Sequence, residues 1–194
     1  MGRGALILLV LAGPAAAQDL PAVYAVAGVA SDDRLNIRAE PSADAPVIGS
    51  YAPDRTRIEV LALSPAGNWG LVGQPEGNGW VAMRFLVAEA TDETALPHPF
   101  RCVGTEPFWG VDVDGGMASF STPEGREPLT LVSQGTAANG VFAALTGPGG
   151  SDWAMIAVHG QCSDGMSDRI YGWQTMVWRG NDTVLSGCCT MDGG

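Results

Sequence analysis

Short apolar alternations, each closed by a turn rich in glycine, proline, asparagine or aspartate, follow one another along this chain. Leu35 and Ile37 alternate with Asn36 and Arg38, and Trp109, Val111 and Val113 alternate with Gly110, Asp112 and Asp114. A period of two puts every second side chain on one face, the pattern of a half-buried strand. Beyond the N-terminal leader, no run has the length and period of an amphipathic helix. The 27 glycines and 13 prolines in 194 residues supply the frequent reversals that many short strands need. The expected fold class is all-β.

Residues 22–87 are expected to form the first module. Leu35-Asn36-Ile37-Arg38-Ala39-Glu40-Pro41-Ser42 opens as a strand and is broken by Pro41, which lacks an N–H and holds its predecessor extended. Val47-Ile48-Gly49, Ile58 to Leu63, Trp69 to Val72 and Trp80-Val81 follow, with turns at Pro65-Ala66-Gly67-Asn68 and Gly77-Asn78-Gly79. In order and content, Leu35 to Ser42, Val47-Ile48-Gly49, Trp69, Gly79-Trp80-Val81 and Leu86 resemble the bacterial SH3 (SH3b) family. The resemblance implies a small SH3-like barrel that binds cell wall or protein, and it makes Asn36, Arg38, Trp69 and Trp80 candidate ligand-binding residues.

The formal net charge is −11, the pI is about 4.3, and all ten cationic residues are arginine. Such a chain repels phosphate backbones, so nucleic acid is excluded as a partner. A basic partner would be steered toward it. Residues 1–17 read as a secretory leader: Arg3, the apolar stretch Ala5 to Ala12, a Gly13-Pro14 break and an Ala15-Ala16-Ala17 cleavage site. The expected location is periplasmic or secreted, cut after Ala17, and no other segment is apolar enough to span a bilayer. Residues 88–99, acidic and ending in Pro97-His98-Pro99, are expected to be a solvated linker.

Residues 100–191 are expected to form a second antiparallel barrel or sandwich of seven or eight short strands, with a hairpin at Asp114-Gly115-Gly116. Its four cysteines, Cys102, Cys162, Cys188 and Cys189, are an even number in an exported chain and point to disulfides. A bond between the neighbours Cys188 and Cys189 would need unusual geometry. Cys102 and Cys162 are therefore each expected to take one of that pair, with the assignment open. No C-x-x-C spacing or histidine set suggests a metal, and no cofactor is expected. Cys102-Val103-Gly104-Thr105-Glu106-Pro107-Phe108-Trp109, with Cys162-Ser163-Asp164-Gly165-Met166-Ser167-Asp168 and Gly187-Cys188-Cys189, resembles an uncharacterised family of bacterial envelope proteins and lipoproteins.

The Cys162–Arg169 stretch carries Ser163, Asp164, Ser167, Asp168 and Arg169 around Gly165, small polar residues that bind partners or simply turn the chain. Ser167 to Tyr171 and Val177-Trp178-Arg179-Gly180 are also similar to two stretches of the periplasmic inhibitors of C-type lysozyme. That likeness would give Ser167 and Arg179 the inhibitory roles and lysozyme as a partner. Asp168 stands where that family has glycine and Arg179 where it has lysine, and the spacing is short. Catalysis by Glu106, Asp112 and Asp164 on peptidoglycan is a further alternative, since carboxylate pairs cleave glycosides when correctly spaced. His98 and His159 are expected to be exposed and packed, respectively. The reading that follows is a non-catalytic envelope binding protein whose partner is peptidoglycan or an envelope protein.

Overall fold

The structure is a computed structural model describing residues 20–92, 94–180 and 182–192. The leader and its cleavage site lie outside the described residues. Seven strands form the N-terminal sheet: β1 (Ala22–Val26), β2 (Leu35–Arg38), β3 (Val47–Tyr51), β4 (Ile58–Leu63), β5 (Trp69–Gln74), β6 (Gly77–Ala82) and β7 (Leu86–Ala88). Their order is β3-β2-β6-β5-β4-β1-β7. Inward residues Ile37, Ile58, Val60, Val72 and Val81 build its core, as the alternation requires. The small SH3-like barrel expected here is a curled antiparallel sheet that keeps two edges, β3 and β7. Bulges at Ile37/Arg38 and Val60/Ala62 interrupt its ladders and bend the strands.

The C-terminal module is a closed eight-stranded barrel. Its strands are β8 (Phe100–Thr105), β9 (Phe108–Asp114), β10 (Met117–Thr122), β11 (Gly125–Ala137), β12 (Gly140–Thr146), β13 (Asp152–Ser163), β14 (Ile170–Trp178) and β15 (Val184–Thr190). Each strand pairs antiparallel with the next. The last returns to the first through Cys188↔Val103, Cys189↔Cys102 and Thr190↔Arg101, which closes a barrel rather than a sandwich. The Asp114-Gly115-Gly116 turn joins β9 to β10, with φ of 58° and 91° at the two glycines, a region that favours residues without Cβ.

An eight-stranded barrel is just wide enough for side chains to fill, and aromatic rings dominate this one. Trp109 stacks on Phe120 at 6.4 Å, Phe120 meets Trp153 at 5.0 Å, and Phe100 meets Trp173 edge-on at 5.3 Å. Two glycines leave the space that Trp109 occupies. A Cβ on Gly104 would lie 2.1 Å from the Trp109 Nε1, and one on Gly187 would lie 2.8 Å from its Cζ2. The Cys-x-Gly-x-Glu-Pro-Phe-Trp and Gly-Cys-Cys phrases therefore meet in space as one packing unit.

The disulfides are Cys102–Cys189 and Cys162–Cys188. The first joins directly opposed residues of β8 and β15 inside the core, where both cysteines are 0% exposed. The second crosses β14 from the end of β13 to β15, and Cys162 is partly exposed. A reductant reaches an accessible sulfur first. Brief reduction under native conditions, followed by alkylation and peptide mass mapping, should label Cys162 and Cys188 before Cys102 and Cys189. The reverse order would contradict this arrangement.

The two modules are packed together, and the expected solvated linker is partly drawn inside. Leu96 is 1% exposed and joins the barrel core with Val23 of β1, while its N–H donates to the Gln134 Oε1 at 3.0 Å. A leucine in an acidic stretch gains more by burial than by hydration. Strand β4 is covered on both faces: Ile58 and Val60 face the sheet's own core, while Glu59 reaches the Thr190 hydroxyl, which donates to it. Arg55 pairs with Asp192 at 2.5 Å. The Asn78 side-chain amide donates to the Asp168 carbonyl at 2.8 Å and accepts from the Ile170 N–H at 3.1 Å.

Candidate functional site

Strand register places the four candidate residues of the N-terminal sheet on one face. Arg38 is directly opposite Trp80, and Leu71 is opposite Trp80 on its other side. Directly opposed residues share a face, and residues two apart do too, so Asn36, Arg38, Trp69 and Trp80 all project outward. Asn36, Arg38 and Trp69 line a groove of about 410 Å³, joined by Arg34, Arg84 and Phe85. Trp80 lies on the same face outside that groove. The Arg38 guanidinium donates to the Ala45 carbonyl at 2.6 Å, and the Arg84 guanidinium sits 4.5 Å from the Phe85 ring centroid. Arg34 donates to the Ser50 hydroxyl at 2.7 Å. Three arginines face one lining carboxylate, Asp33. On a chain of net charge −11 this groove is locally positive, the opposite of what overall charge suggested about partners.

The family model of the bacterial SH3 domain matches residues 33–87. Residues 33–87 are a bacterial SH3 domain. This is a binding-domain family, so the groove belongs to a module whose relatives engage cell wall or protein. No curated protein and no solved structure matches the chain. The bacterial SH3 domain and two disulfides fit an extracellular or periplasmic protein. No helix among the described residues is long and apolar enough to cross a membrane.

The loop after β13 is built around one carboxylate. Asp164 accepts from the Met166 and Ser167 amides, both at 3.0 Å, and from the Ser167 and Tyr171 hydroxyls at 3.2 Å. Partial burial acts to raise the Asp164 pKa, but those hydrogen bonds outweigh it and hold the carboxyl below its usual value. Ser163 accepts from the Gly165 amide at 3.2 Å, closing the same turn. Asp168 and Arg169 meet the SH3 sheet through a backbone carbonyl and a guanidinium, and the Asp168 side chain stays exposed. The Asp168 carbonyl accepts from Asn78, and the Arg169 guanidinium packs on Gly73 of β5 and lies 4.7 Å from the Tyr171 ring centroid. These two residues dock the barrel on the SH3 sheet.

Ser167 and Arg179 are not brought together. They flank the nine-residue strand β14 at opposite ends, which at about 3.3 Å per residue separates them by roughly 30 Å. Arg179 instead stacks over Phe120 and Trp153, 4.5 and 4.7 Å from their ring centroids, and pairs with Glu127 at 3.6 Å. It covers the end of the barrel core. Of the three carboxylates considered for catalysis, Glu106 and Asp164 line one groove and Asp112 does not. Asp112 is held by Arg101 at 2.6 Å and by Arg126 at 2.9 Å, away from the groove that Glu106 and Asp164 line. His98 accepts from the Gly115 amide at 3.3 Å. His159 is exposed and sets its ring edge-on to Trp173 at 4.0 Å, beside a cavity of about 540 Å³ between the modules.

Sequence reasoning missed Arg34, Arg84 and Phe85 as groove residues. It also missed the charged Glu59 inside an otherwise apolar strand, although a carboxylate flanked by Ile58 and Val60 was the available signal.

Proposed function

We propose that this is an exported envelope binding protein that engages cell wall or a partner protein through the outer groove of its SH3 domain, without turnover. The observation carrying this reading is the groove lined by Asn36, Arg38 and Trp69, in which arginines outnumber carboxylates beside two aromatic rings. Such a surface suits a carboxylate-bearing ligand with an apolar or planar portion. Guanidinium groups form paired hydrogen bonds with carboxylates, and the tryptophan supplies contact area at low entropic cost. Peptidoglycan stem peptides have this chemistry, as do acidic protein segments. The leader is read as cleaved after Ala17, leaving the protein periplasmic or secreted.

The test is co-sedimentation of the full chain with purified peptidoglycan, beside the variant carrying Arg38→Ala and Trp69→Ala. Deleting the whole module would be a poor control, because it strips Val23 from the barrel core cluster. The native chain should sediment. The double variant should bind about tenfold or more weakly, the cost expected when two central contacts are truncated. Equal sedimentation of both would exclude the groove, and muropeptide release by the purified protein would exclude a purely binding role.

A further inference from the structure

The outer wall of the barrel is apolar where a soluble barrel should be polar. Inward positions Ala143, Met155, Val177 and Leu185 fill the core, so a period of two sends their neighbours outward. Those neighbours are Phe142, Ile156, Met176, Trp178 and Val184, each between 41% and 63% exposed. Register assembles them into one patch. Phe142, Ile156 and Met176 are directly opposed across β12, β13 and β14, and Trp178 is opposed to Val184 in the next row. A continuous apolar patch of this kind on a soluble protein marks an interaction surface.

The patch runs into a groove of about 580 Å³, which Ile156 and Met176 line together with Met166 of the Asp164-centred loop. The charged side chains lining this groove are Glu106 and Asp164, both carboxylates. Asp152 and Asp182, both exposed, lie beyond the other end of the patch near Trp178 and Val184. The barrel is closed, so no strand edge is available for a partner to extend. Contact must be made through side chains, and methionines suit this because they adapt to irregular partners. A second copy of the chain is disfavoured as the occupant, since each copy carries a net charge of −11.

We propose that this wall, from Val184 and Trp178 to the Met166 groove, docks a basic polypeptide segment, with apolar side chains on the patch and Lys or Arg beside the carboxylates. It is separate from the SH3 groove and opposite to it in charge preference.

The test uses the full chain labelled with ¹³C at the methionine methyl groups. It is titrated with a synthetic peptide of alternating leucine and lysine, and with matched leucine–glutamate and serine–lysine peptides. The leucine–lysine peptide should shift the Met166 and Met176 signals saturably and leave the buried Met155 unmoved. Changing the exposed Ile156 and Met176 to serine should weaken binding about tenfold. Glu106→Gln should weaken it less, with a smaller salt dependence. The Arg38→Ala/Trp69→Ala variant should bind the peptide as the native chain does. The proposal is overturned by an absence of shifts, by equal shifts with either control peptide, or by loss of binding in the SH3 variant. Shifts that grow with protein concentration alone would also overturn it, by assigning the wall to a second copy.

Discussion

Replacing Gly104 with alanine should destabilise the barrel by about 3 kcal/mol or more, at the upper end of what overpacking a close-packed core costs. The added methyl would lie 2.1 Å from the Trp109 Nε1, 2.5 Å from its Cε2 and 2.8 Å from the Ser186 carbonyl oxygen. Two of these atoms belong to a rigid indole that is 5% exposed and packed on Phe120, and the third is backbone. No flexible chain end can move aside. Gly104 has an ordinary φ, so the effect is steric and not conformational. Urea denaturation of the native chain, Gly104→Ala, Trp109→Phe and the double variant would measure it. The smaller ring should relieve the methyl, so the double variant should be more stable than the sum of the single changes predicts, by over about 1 kcal/mol. Gly135→Ala is the control: it has open space around its Cβ position and should be close to neutral, within about 0.5 kcal/mol. Strict additivity of Gly104→Ala and Trp109→Phe would show that the notch is not what seats the indole.

That notch shows what was readable beforehand and what was not. Local signals carried the strands and turns well. The alternation from Trp109 to Asp114 and the Asp114-Gly115-Gly116 reversal became β9, its turn and β10, because both depend on neighbours a few residues apart. The meeting of Gly104, Trp109 and Gly187 depends on β15 returning to β8, a pairing across most of the module. Nothing local distinguishes closure by that pairing from a sandwich. The cysteines were legible as disulfides, but their assignment needed the same register. Strand β11 runs thirteen residues although Leu129 to Val132 is its one largely apolar stretch, since Ser133 to Ala137 are carried by hydrogen bonds to β12 and not by burial. The binding face divides in the same way. Asn36, Arg38 and Trp69 came from a motif and do share a groove, whereas Arg34, Arg84 and Phe85 join it only through folding. Asp168, Arg169 and Arg179 looked like polar loop residues open to a ligand. Arg169 is taken up by the SH3 sheet and Arg179 by the aromatic end of the barrel, while Asp168 gives the sheet its backbone carbonyl and keeps an exposed side chain.

Glu59 should make the stability of the whole chain fall as pH rises through neutrality. The residue is 4% exposed between the modules. Burial in this low-dielectric seam raises its pKa from the ordinary 4.5 to about 7; the Asp192 charge adds to the rise, while the Thr190 and Met191 hydrogen bonds and the Arg169 charge oppose it. In the folded chain the carboxyl therefore keeps its proton through a range where the unfolded chain has lost it. A folded pKa above the unfolded one means that the folded state binds more protons, so the contribution is complete below about 4.5 and disappears as pH rises through about 7. At 1.36 kcal/mol per unit, the loss between those limits is about 3 kcal/mol as an order of magnitude. Asp164 acts with the opposite sign and in a lower window: its pKa is depressed below 3.8, so its contribution is lost only on acidification below that value. The Glu59→Gln variant mimics the protonated side chain and does not titrate. It should flatten the stability profile between pH 4.5 and 7 and be the more stable protein at pH 8 by up to about 3 kcal/mol. The surrounding groups set the limits of that gain. The Arg55–Asp192 pair remains in the variant, but Arg169 loses a nearby carboxylate, which reduces the benefit at high pH. Urea midpoints of both proteins across this range, with a ¹³C titration of the Glu59 carboxyl, measure the effect directly. Parallel profiles for the two proteins would mean that Glu59 is ionised in the seam at neutral pH and that the arginines around it, not its proton, hold the modules together.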